Sequence, residues 1–561
     1  MAGPVFQGLD NPEGIFPTIG RTSENRMRPL TDKQQQWVDR TVASLSLEQQ
    51  LAQLLIPKLE ADGGVEPLLK QMERIPFGGL FVWGATEEAH RKALSRIQAA
   101  AAVPVVVCAD LENGSGYVIR GRPQFPDMLA LGAADDEMLA YTVGKAAGRD
   151  GRSVGIHWSF GPVVDVNINP DNPIANTRSL GDDPERVSRL AVAVIRGMQD
   201  HGLAACAKHF PGDGVDDVDQ HVTISVNDLS LERWKAVSGR TFAAAIAADV
   251  HTIMIGHIAL PAWDPATDHR GALRPATVNR RIVHDLLREE MGFEGLVVTD
   301  DMNMGGVAGY VNFRERTIGC IRAGCDMLLF PRMPDAYDIL LEAVRKGELE
   351  ESRVQEAARR VLELKARLQL CEAAQMSPSA TAAETVEFES AAGTVAARAV
   401  QLVRDVNGIL PLRGLKPGSR VLTVTLSGEG FDMPVVDEEL ARRGFHVEHI
   451  AAAGYGAVDP YVDRVDAIFV NFAFGAAWCV GSVRSIGPQN RVFMNGFQTA
   501  HPKVVFTSFG SPYHLRQFSA LPVYINAHSA SAASQRAVVK AWLGEAPMEG
   551  RSPVGNLVRT F

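Results

Sequence analysis

Eight short apolar runs, separated by stretches with helical spacing, occupy the first 331 residues of the sequence. The runs are continuous rather than alternating, which is typical of parallel strands buried on both faces. They lie at residues 54–57, 78–83, 103–110, 155–166, 203–210, 252–258, 296–300 and 326–331. Strands that alternate with helices predict an α/β fold, and eight of them favour a (β/α)8 barrel of the TIM type.

The stretch that precedes the fifth run shows how clear the helical signal is. Asp183 is a suitable N-cap, with Pro184 at the first helical position. Apolar residues then recur at spacings of three and four, which predicts one buried stripe. Gly202 marks the end of this helix before the next strand.

A doubly wound open sheet is the alternative architecture for this region. That fold wants a glycine-rich phosphate-binding turn after its first strand. The sequence there is Pro57-Lys58-Leu59-Glu60, which has no glycine. The barrel is therefore the preferred interpretation.

A second, smaller domain is predicted after a helix at residues 354–370. Residues 371–389 are rich in Ala, Ser and Glu, with weak periodicity, which indicates a linker that is partly helical. Strand-like runs then follow at 421–426, 445–451, 467–472, 504–509 and 523–527, with a last helix at 534–543. This alternation favours an open-sheet α/β sandwich with parallel strands. The predicted division is an arm (1–30), a catalytic barrel (31–370), a linker (371–394) and a C-terminal α/β domain (395–561).

Composition narrows the classes of partner. The hydrophobic share of 46% and the charged share of 22% are ordinary for a globular protein, and the net charge of -10 argues against a nucleic-acid partner. The six cysteines form no CxxC pair, so buried reduced thiols are expected. No signal pattern and no apolar run of about 20 residues is seen, so we expect a soluble, cytoplasmic protein with no membrane partner.

Two carboxylates stand where the run at 296–300 ends. Asp300 and Asp301 are followed by Gly305 and Gly306. A carboxylate at the tip of a buried strand is costly to desolvate unless it is paired or has chemistry to do, and in α/β barrels that tip faces the active site. An Asp that caps the following helix is an equally good interpretation of this stretch alone.

A glycine-rich acidic loop, residues 208–221, follows the fifth run. Its acid spacing lacks the calcium-binding pattern, and His209 and His221 lie 12 residues apart without a third zinc ligand near them in sequence. In an extended loop, Asp219 and His221 point to the same side, so that the carboxylate can fix the imidazole as a general acid/base. Two solvated loop residues would give the same Asp-x-His pattern.

Several short motifs occur in a fixed order and together resemble glycoside hydrolase family 3, in its β-N-acetylglucosaminidase (NagZ-like) branch. They are Asp110-Leu-Glu-Asn-Gly, Asn176-Thr-Arg-Ser-Leu-Gly, Lys208-His-Phe-Pro-Gly, Asp219-Gln-His, Gly256-His-Ile and Thr299-Asp-Asp-Met. The resemblance covers roughly residues 30–370 and extends more loosely into the second domain. Two stretches depart from the branch: Pro-Gly-Asp-Gly-Val after His209, and Leu-Glu-Asn-Gly-Ser-Gly after Asp110.

The resemblance implies a retaining β-glycosidase that uses no metal, and we expect no cofactor. It makes Asp300 the nucleophile, His221 the acid/base and Asp219 the partner of His221. The residues that it assigns to the sugar hydroxyls are Asp110, Arg178, Lys208 and His209.

Three functions stay open at this point. The first is a β-glycoside phosphorylase acting on glucosides or N-acetylglucosaminides, with inorganic phosphate as co-substrate. A neutral imidazole does not repel phosphate as a carboxylate would, which favours this function. The second is a hydrolase that uses water, and the third is an inactive sugar-binding protein.

Overall fold

The structure is a computed structural model that describes residues 27–59, 64–372, 376–428, 433–450 and 454–558. Most of the predicted arm (residues 1–26) and residues 373–375 of the predicted linker lie outside the described residues. The strands of the first part are β1 (Leu55–Ile56), β2 (Lys58–Leu59), β3 (Gly79–Val82), β4 (Ala85–Thr86), β5 (Val106–Ala109), β6 (Ile119–Arg120), β7 (Trp158–Ser159), β8 (Cys206–Phe210), β9 (Ser225–Val226), β10 (Thr252–Ile255), β11 (Ile258–Ala259), β12 (Leu296–Asp301) and β13 (Met327–Leu329).

These strands form two main parallel sheets. One has the order β1-β13-β12-β10-β8 and the other the order β2-β3-β5-β7. Pro57 alone separates β1 from β2, and a parallel bridge between Trp158 and Ala204 links β7 to the chain that enters β8. All eight predicted strands are present, although β7 is much shorter than the predicted 155–166. The α/β class is therefore confirmed, whereas closure of the strands into a barrel stays a prediction.

Burial on both faces explains why the strand sequences are apolar throughout. In β10, Ile253 and Ile255 pack in the large cluster that includes the surrounding helices. Met254, which points the other way, packs in a separate cluster with residues of the other strands and with Leu364. Because neither face meets water, no alternation of polar positions is visible in the sequence.

The helices of the first part are α1 (Asp32–Ser44), α2 (Leu47–Gln53), α3 (Glu66–Arg74), α4 (Glu87–Ala100), α5 (Met128–Ala134), α6 (Glu137–Val154), α7 (Pro184–Asp200), α8 (Leu231–Ala236), α9 (Ser238–Ala247), α10 (Gly305–Ala308), α11 (Phe313–Ala323), α12 (Asp335–Arg345) and α13 (Glu351–Arg367), with a π-helical stretch at Arg281–Glu290. Helix α7 begins as predicted, since Asp183 accepts a hydrogen bond from the Glu185 amide at 3.1 Å.

The second part begins with α14 (Ala382–Ala399), which occupies much of the predicted linker. Its other elements are β14 (Gln401–Asp405), β15 (Arg420–Ser427), α15 (Pro434–Arg442), β16 (His446–Ile450), β17 (Ala467–Ala473), α16 (Phe497–Ala500), β18 (Val504–Ser508), α17 (His514–Gln517), β19 (Val523–Asn526) and α18 (Ala532–Trp542). The sheet order is β14-β19-β18-β17-β15-β16. The expectation of an all-parallel sheet is wrong at one edge, because β14 runs antiparallel to β19. The domain boundaries stay predictions.

The cysteines agree with the expectation of reduced thiols. Cys108, Cys206, Cys320 and Cys325 are free and buried, Cys371 is half-buried and Cys479 is exposed. Across the described residues, the helices are all too short or too polar to cross a membrane.

Candidate active site

A cleft of about 1060 Å³ opens beyond the carboxyl ends of the strands of both parallel sheets. This volume is at the upper end of the range usual for small-molecule sites. Six of the seven predicted site residues line it: Asp110, Arg178, Lys208, His209, His221 and Asp300. The seventh, Asp219, lies behind His221 with its side chain only 3% exposed.

Asp300 and Asp301 end β12 and differ in what their carboxylates do. Asp301 accepts hydrogen bonds from the backbone N–H (2.8 Å) and side-chain amide (2.9 Å) of Asn303, and burial raises its pKa. Burial would also raise the pKa of Asp300, but His209 and nearby basic groups outweigh it, so that this pKa lies below its usual range. Asp300 is therefore the carboxylate of the pair with the lower pKa, and it lines the cleft where a ligand can reach it.

A buried network of charges lies beside Asp300. Lys208 Nζ donates to Asp110 Oδ1 at 2.9 Å and contacts Glu112 Oε1 at 2.7 Å. Arg178 donates to both oxygens of Glu112, at 2.7 and 3.1 Å. Burial would raise the pKa of Glu112, but Arg178 and Lys208 hold it well below its usual range. Paired groups of this kind stay charged and can bind several hydroxyls at fixed positions.

His209 is fixed by a second buried carboxylate. Its Nδ1 lies 2.7 Å from Asp165 Oδ2, and its backbone N–H donates to the same carboxylate. Its Nε2 faces Asp300 Oδ2 at 4.0 Å. Because Nδ1 is engaged by Asp165, Nε2 is the ring nitrogen directed toward the Asp300 carboxylate and the cleft.

Asp219 and His221 form the predicted dyad. His221 Nδ1 lies 2.7 Å from Asp219 Oδ1, and the His221 backbone N–H donates to the same oxygen at 2.8 Å. Burial would raise the pKa of Asp219, but these two hydrogen bonds lower it below its usual range. With Nδ1 held by the carboxylate, His221 Nε2 is left for proton transfer.

The loop that carries the dyad is attached to the segment that follows β12. The Gly305 N–H donates to the His221 carbonyl at 2.8 Å, and the Gly306 N–H donates to the Gln220 carbonyl at 3.1 Å. A Cβ atom at Gly305 would collide with the Val222 carbonyl. The two glycines after Asp300 therefore permit the close approach that brings the dyad beside it.

Residues of the second part complete the site. The Trp478 ring lies nearly parallel to the His221 imidazole, at 22° and with ring centres 5.9 Å apart. The Cys479 backbone N–H donates to Asp219 Oδ2 at 2.8 Å. The second domain thus contributes directly to the surroundings of the dyad.

Four functional neighbours were absent from the sequence-based assignment: Glu112, Asp165, Trp83 and Trp478. Asp165 stands inside the predicted run 155–166, and nothing in the sequence shows its pairing with His209. Glu112 stands within the first quoted motif without an assigned role. Nothing in the sequence links Trp478 to His221, which is more than 250 residues away.

The residues that the structure describes include no group of three or more His, Cys, Asp or Glu placed to hold a metal ion. Two carboxylates of the acidic loop instead accept hydrogen bonds from neighbouring side chains. Asp213 accepts from Asn172 at 2.9 Å and from Gln220 at 2.9 Å, and Asp216 accepts from Ser225 at 2.8 Å.

An α/β fold with carboxylates, imidazoles and paired cations in one strand-end cleft is typical of an enzyme that acts on a polar substrate. The family model described as the glycosyl hydrolase family 3 N-terminal domain matches residues 46–364. A β-N-acetylglucosaminidase/β-glucosidase of Cellulomonas fimi is 32% identical over 545 residues, which are 92% of this chain and 95% of that protein. The chain belongs to glycosyl hydrolase family 3 and is a glycosidase-type enzyme of that family.

Two solved structures resemble this one over almost its whole length. A β-glucoside phosphorylase, BglX, bound to 2FGlc, superposes with a TM-score of 0.84 at 28% identity, covering 94% of this chain and 97% of that one. A family 3 β-N-acetylglucosaminidase from Paenibacillus sp. str. FPU-7 has a TM-score of 0.81 at 24% identity, covering 92% of this chain and 100% of that one, which shows the shared fold.

Proposed function

We propose that this protein is a retaining β-glycoside phosphorylase with Asp300 as nucleophile and His221 as acid/base. The single observation that carries the proposal is the dyad: an imidazole held by Asp219 at 2.7 Å lines the same cleft as the ionised Asp300. Asp300 attacks the anomeric carbon, the bond to the aglycone oxygen breaks, and His221 Nε2 gives its proton to that oxygen. Phosphate oxygen then attacks the glycosyl-Asp300 ester, and the Asp300 carboxylate leaves.

The substrate that we assign is a terminal β-D-glucoside or N-acetyl-β-D-glucosaminide. Asp110, Arg178, Lys208 and His209 would bind the hydroxyls of its terminal sugar. In support, these side chains form a connected, mostly buried set beside Asp300. The Cellulomonas fimi relative is named as an enzyme for both kinds of sugar, and BglX is named as an enzyme for β-glucosides.

The choice of phosphate as acceptor rests on charge. After it has protonated the leaving group, an imidazole is neutral, whereas a carboxylate in the same place would repel a phosphate dianion. Phosphate also needs less deprotonation than water does. The similarity to BglX supports phosphate, whereas the name of the Cellulomonas fimi relative supports the alternative, a hydrolase.

The proposed architecture around this site is a closed (β/α)8 barrel. The strand order of the two sheets, the Trp158–Ala204 bridge and the continuity of β1 with β2 support a ring of eight strands. In such a barrel the catalytic residues follow the strand ends, as Asp110 follows β5 and Asp300 stands in β12. The C-terminal α/β domain would then form one wall of the cleft.

Product analysis with and without phosphate tests the acceptor. We expect millimolar phosphate to accelerate aglycone release wherever deglycosylation limits the rate, and the product to be a β-configured sugar 1-phosphate. The reverse reaction, from that sugar 1-phosphate and an alcohol, should also run. Sulfate at the same ionic strength is the control. A rate unchanged by phosphate, with free sugar as the only product, would leave the hydrolase.

A further inference from the structure

Residues 476–484, here called the bridging segment, follow β17 and reach from the second part of the protein to the cleft. Near one end, the Ala476 N–H donates to Thr177 Oγ1 at 3.3 Å. At the other end, the Arg484 guanidinium contacts Asp171 Oδ1 at 2.6 and 3.0 Å. The segment is therefore attached to the first part of the chain at both ends, with Trp478 and Cys479 between these attachments.

The middle of the bridging segment touches the dyad on two sides. The two oxygens of Asp219 have different partners. Oδ1 is hydrogen-bonded to Nδ1 of His221, and Oδ2 accepts a hydrogen bond from the Cys479 N–H at 2.8 Å. A carboxylate bonded through both oxygens is restrained in rotation, and so is the imidazole bonded to it. Trp478 covers one face of that imidazole.

Trp478 is 56% exposed, so its ring is only partly held by neighbouring side chains. Its described ring contacts are with His221 and with Trp83, at 5.9 and 6.2 Å between ring centres. Trp478 is thus placed against one face of the imidazole, where it limits how far that ring can tilt.

We infer that Trp478 and the Cys479 amide form a positioning device for the acid/base, supplied by the part of the chain that does not carry the nucleophile. The inference rests on the proposed role of His221. The device aims Nε2 of the imidazole at the oxygen of the scissile bond, and it takes no part in the attack by Asp300. Its loss should therefore slow departure of the leaving group only when that departure needs a proton.

Three variants at one position test this role: Trp478→Ala, Trp478→Phe and Trp478→Leu. Each is assayed on a dinitrophenyl β-glycoside, whose aglycone leaves without protonation, and on an alkyl β-glycoside, whose aglycone does not. For Trp478→Ala we expect kcat/KM on the alkyl substrate to fall about 10- to 100-fold, part of the usual contribution of general acid catalysis, with a change of less than about threefold on the dinitrophenyl substrate. Phe, which keeps a flat ring, should restore most of the loss, and Leu should not.

Met494→Ala is the matched control, because Met494 is 67% exposed in the same part of the protein. A larger loss on the dinitrophenyl substrate than on the alkyl one would assign Trp478 to aglycone binding and overturn the positioning role. Equal losses on both substrates, or equal activities of the Phe and Leu variants, would overturn it as well. If Trp478→Ala fails to fold by circular dichroism, the Phe and Leu variants decide.

His221→Ala, measured in parallel, separates this inference from the proposed function. If His221→Ala shows no dependence on the leaving group, the assignment of His221 fails and the positioning role falls with it. If His221→Ala shows that dependence and Trp478→Ala does not, only the positioning role is wrong.

Discussion

The roles proposed for single residues of this site depend on the hydrogen bonds that their side-chain oxygens and nitrogens already make. Asp300 and Asp301 are neighbours in sequence, yet their carboxylates differ. The Asp301 carboxylate accepts two hydrogen bonds from Asn303, and burial raises the pKa of Asp301. The lowered pKa of Asp300 leaves an ionised carboxylate facing His209 and the cleft. These different environments support the proposal that Asp300, rather than Asp301, is the nucleophile.

Replacement of Asp300 tests that assignment. Asp300→Ala should abolish turnover of an activated aryl β-glycoside, because no glycosyl-enzyme can form. Added azide should restore some activity and yield an α-glycosyl azide, identified by NMR. Asp301→Asn is the matched comparison and should retain much more activity. Near-normal turnover by Asp300→Ala, together with an inactive Asp301→Asn, would transfer the nucleophile to Asp301.

His221 and Asp219 should give different signatures. His221→Ala should lose little activity on a dinitrophenyl β-glycoside and about 100-fold or more on an alkyl one. Asp219→Asn should be milder. Because this change removes the negative charge beside the imidazole, the imidazole should hold its proton less tightly, so that the basic limb of the kcat/KM profile moves to lower pH. An unmoved basic limb would mean that Asp219 only supports the loop.

The sequence predicted these residues unevenly. Asp300, Asp219 and His221 carry recognisable motifs, and each lies in or directly behind the cleft. Asp165 has no predicted role, because its contact is with an imidazole 44 residues away. Side-chain pairing across such distances is set by the fold, and no local pattern records it.

At the scale of elements, the strands were predictable because burial on both faces makes them continuously apolar. Strand β14 was missed, since its burial pattern is only partial and it lies at the edge of its sheet. Helix α14 lies largely within the stretch predicted to be a partly helical linker, and its small residues and weak apolar stripe give little indication of its length. The Thr-x-x-Glu spacing of Thr381 and Glu384, which forms a capping box in the structure, is a local sequence signal for the start of this helix.

Helix α13 carries a buried lysine that makes stability depend on pH. Lys365 is fully buried, donates to Gln53 Oε1 at 2.5 Å, and has its pKa lowered by burial to about 7. Between about pH 7 and 10.5 the unfolded chain therefore binds the proton more readily than the folded protein. Stability contributed by this site is lost as pH falls through that window.

The comparison with Lys365→Met isolates this contribution. The unfolding free energy of the native protein, relative to Lys365→Met, should rise by about 1.4 kcal/mol per pH unit between about pH 7.5 and 9.5. Denaturant midpoints measured across that range give the slope. The lost hydrogen bond to Gln53 adds a constant offset and leaves the slope unchanged. A difference independent of pH would show that Lys365 stays protonated in the folded protein.

At the scale of the whole molecule, the sequence predicts two runs of α/β elements but does not indicate how they meet. Contacts between them occur at the cleft and also elsewhere. The Asp182 N–H donates to the Pro553 carbonyl at 3.1 Å, and the Gly555 N–H donates to the Asp182 carboxylate at 2.6 Å. None of these residues stands in a motif, so only the folded arrangement reveals them.

The attachment of the dyad to the bridging segment also bears on heat resistance. Asp300 stands on a strand of one hydrophobic core, while Trp478 and Cys479 follow a strand of another. If the core that carries the bridging segment melts first, turnover of substrates with poor leaving groups will fall sharply while Asp300 and its neighbours are still folded. The thermal limit of such turnover is then a property of the weaker core, and stabilising the stronger one would not extend it.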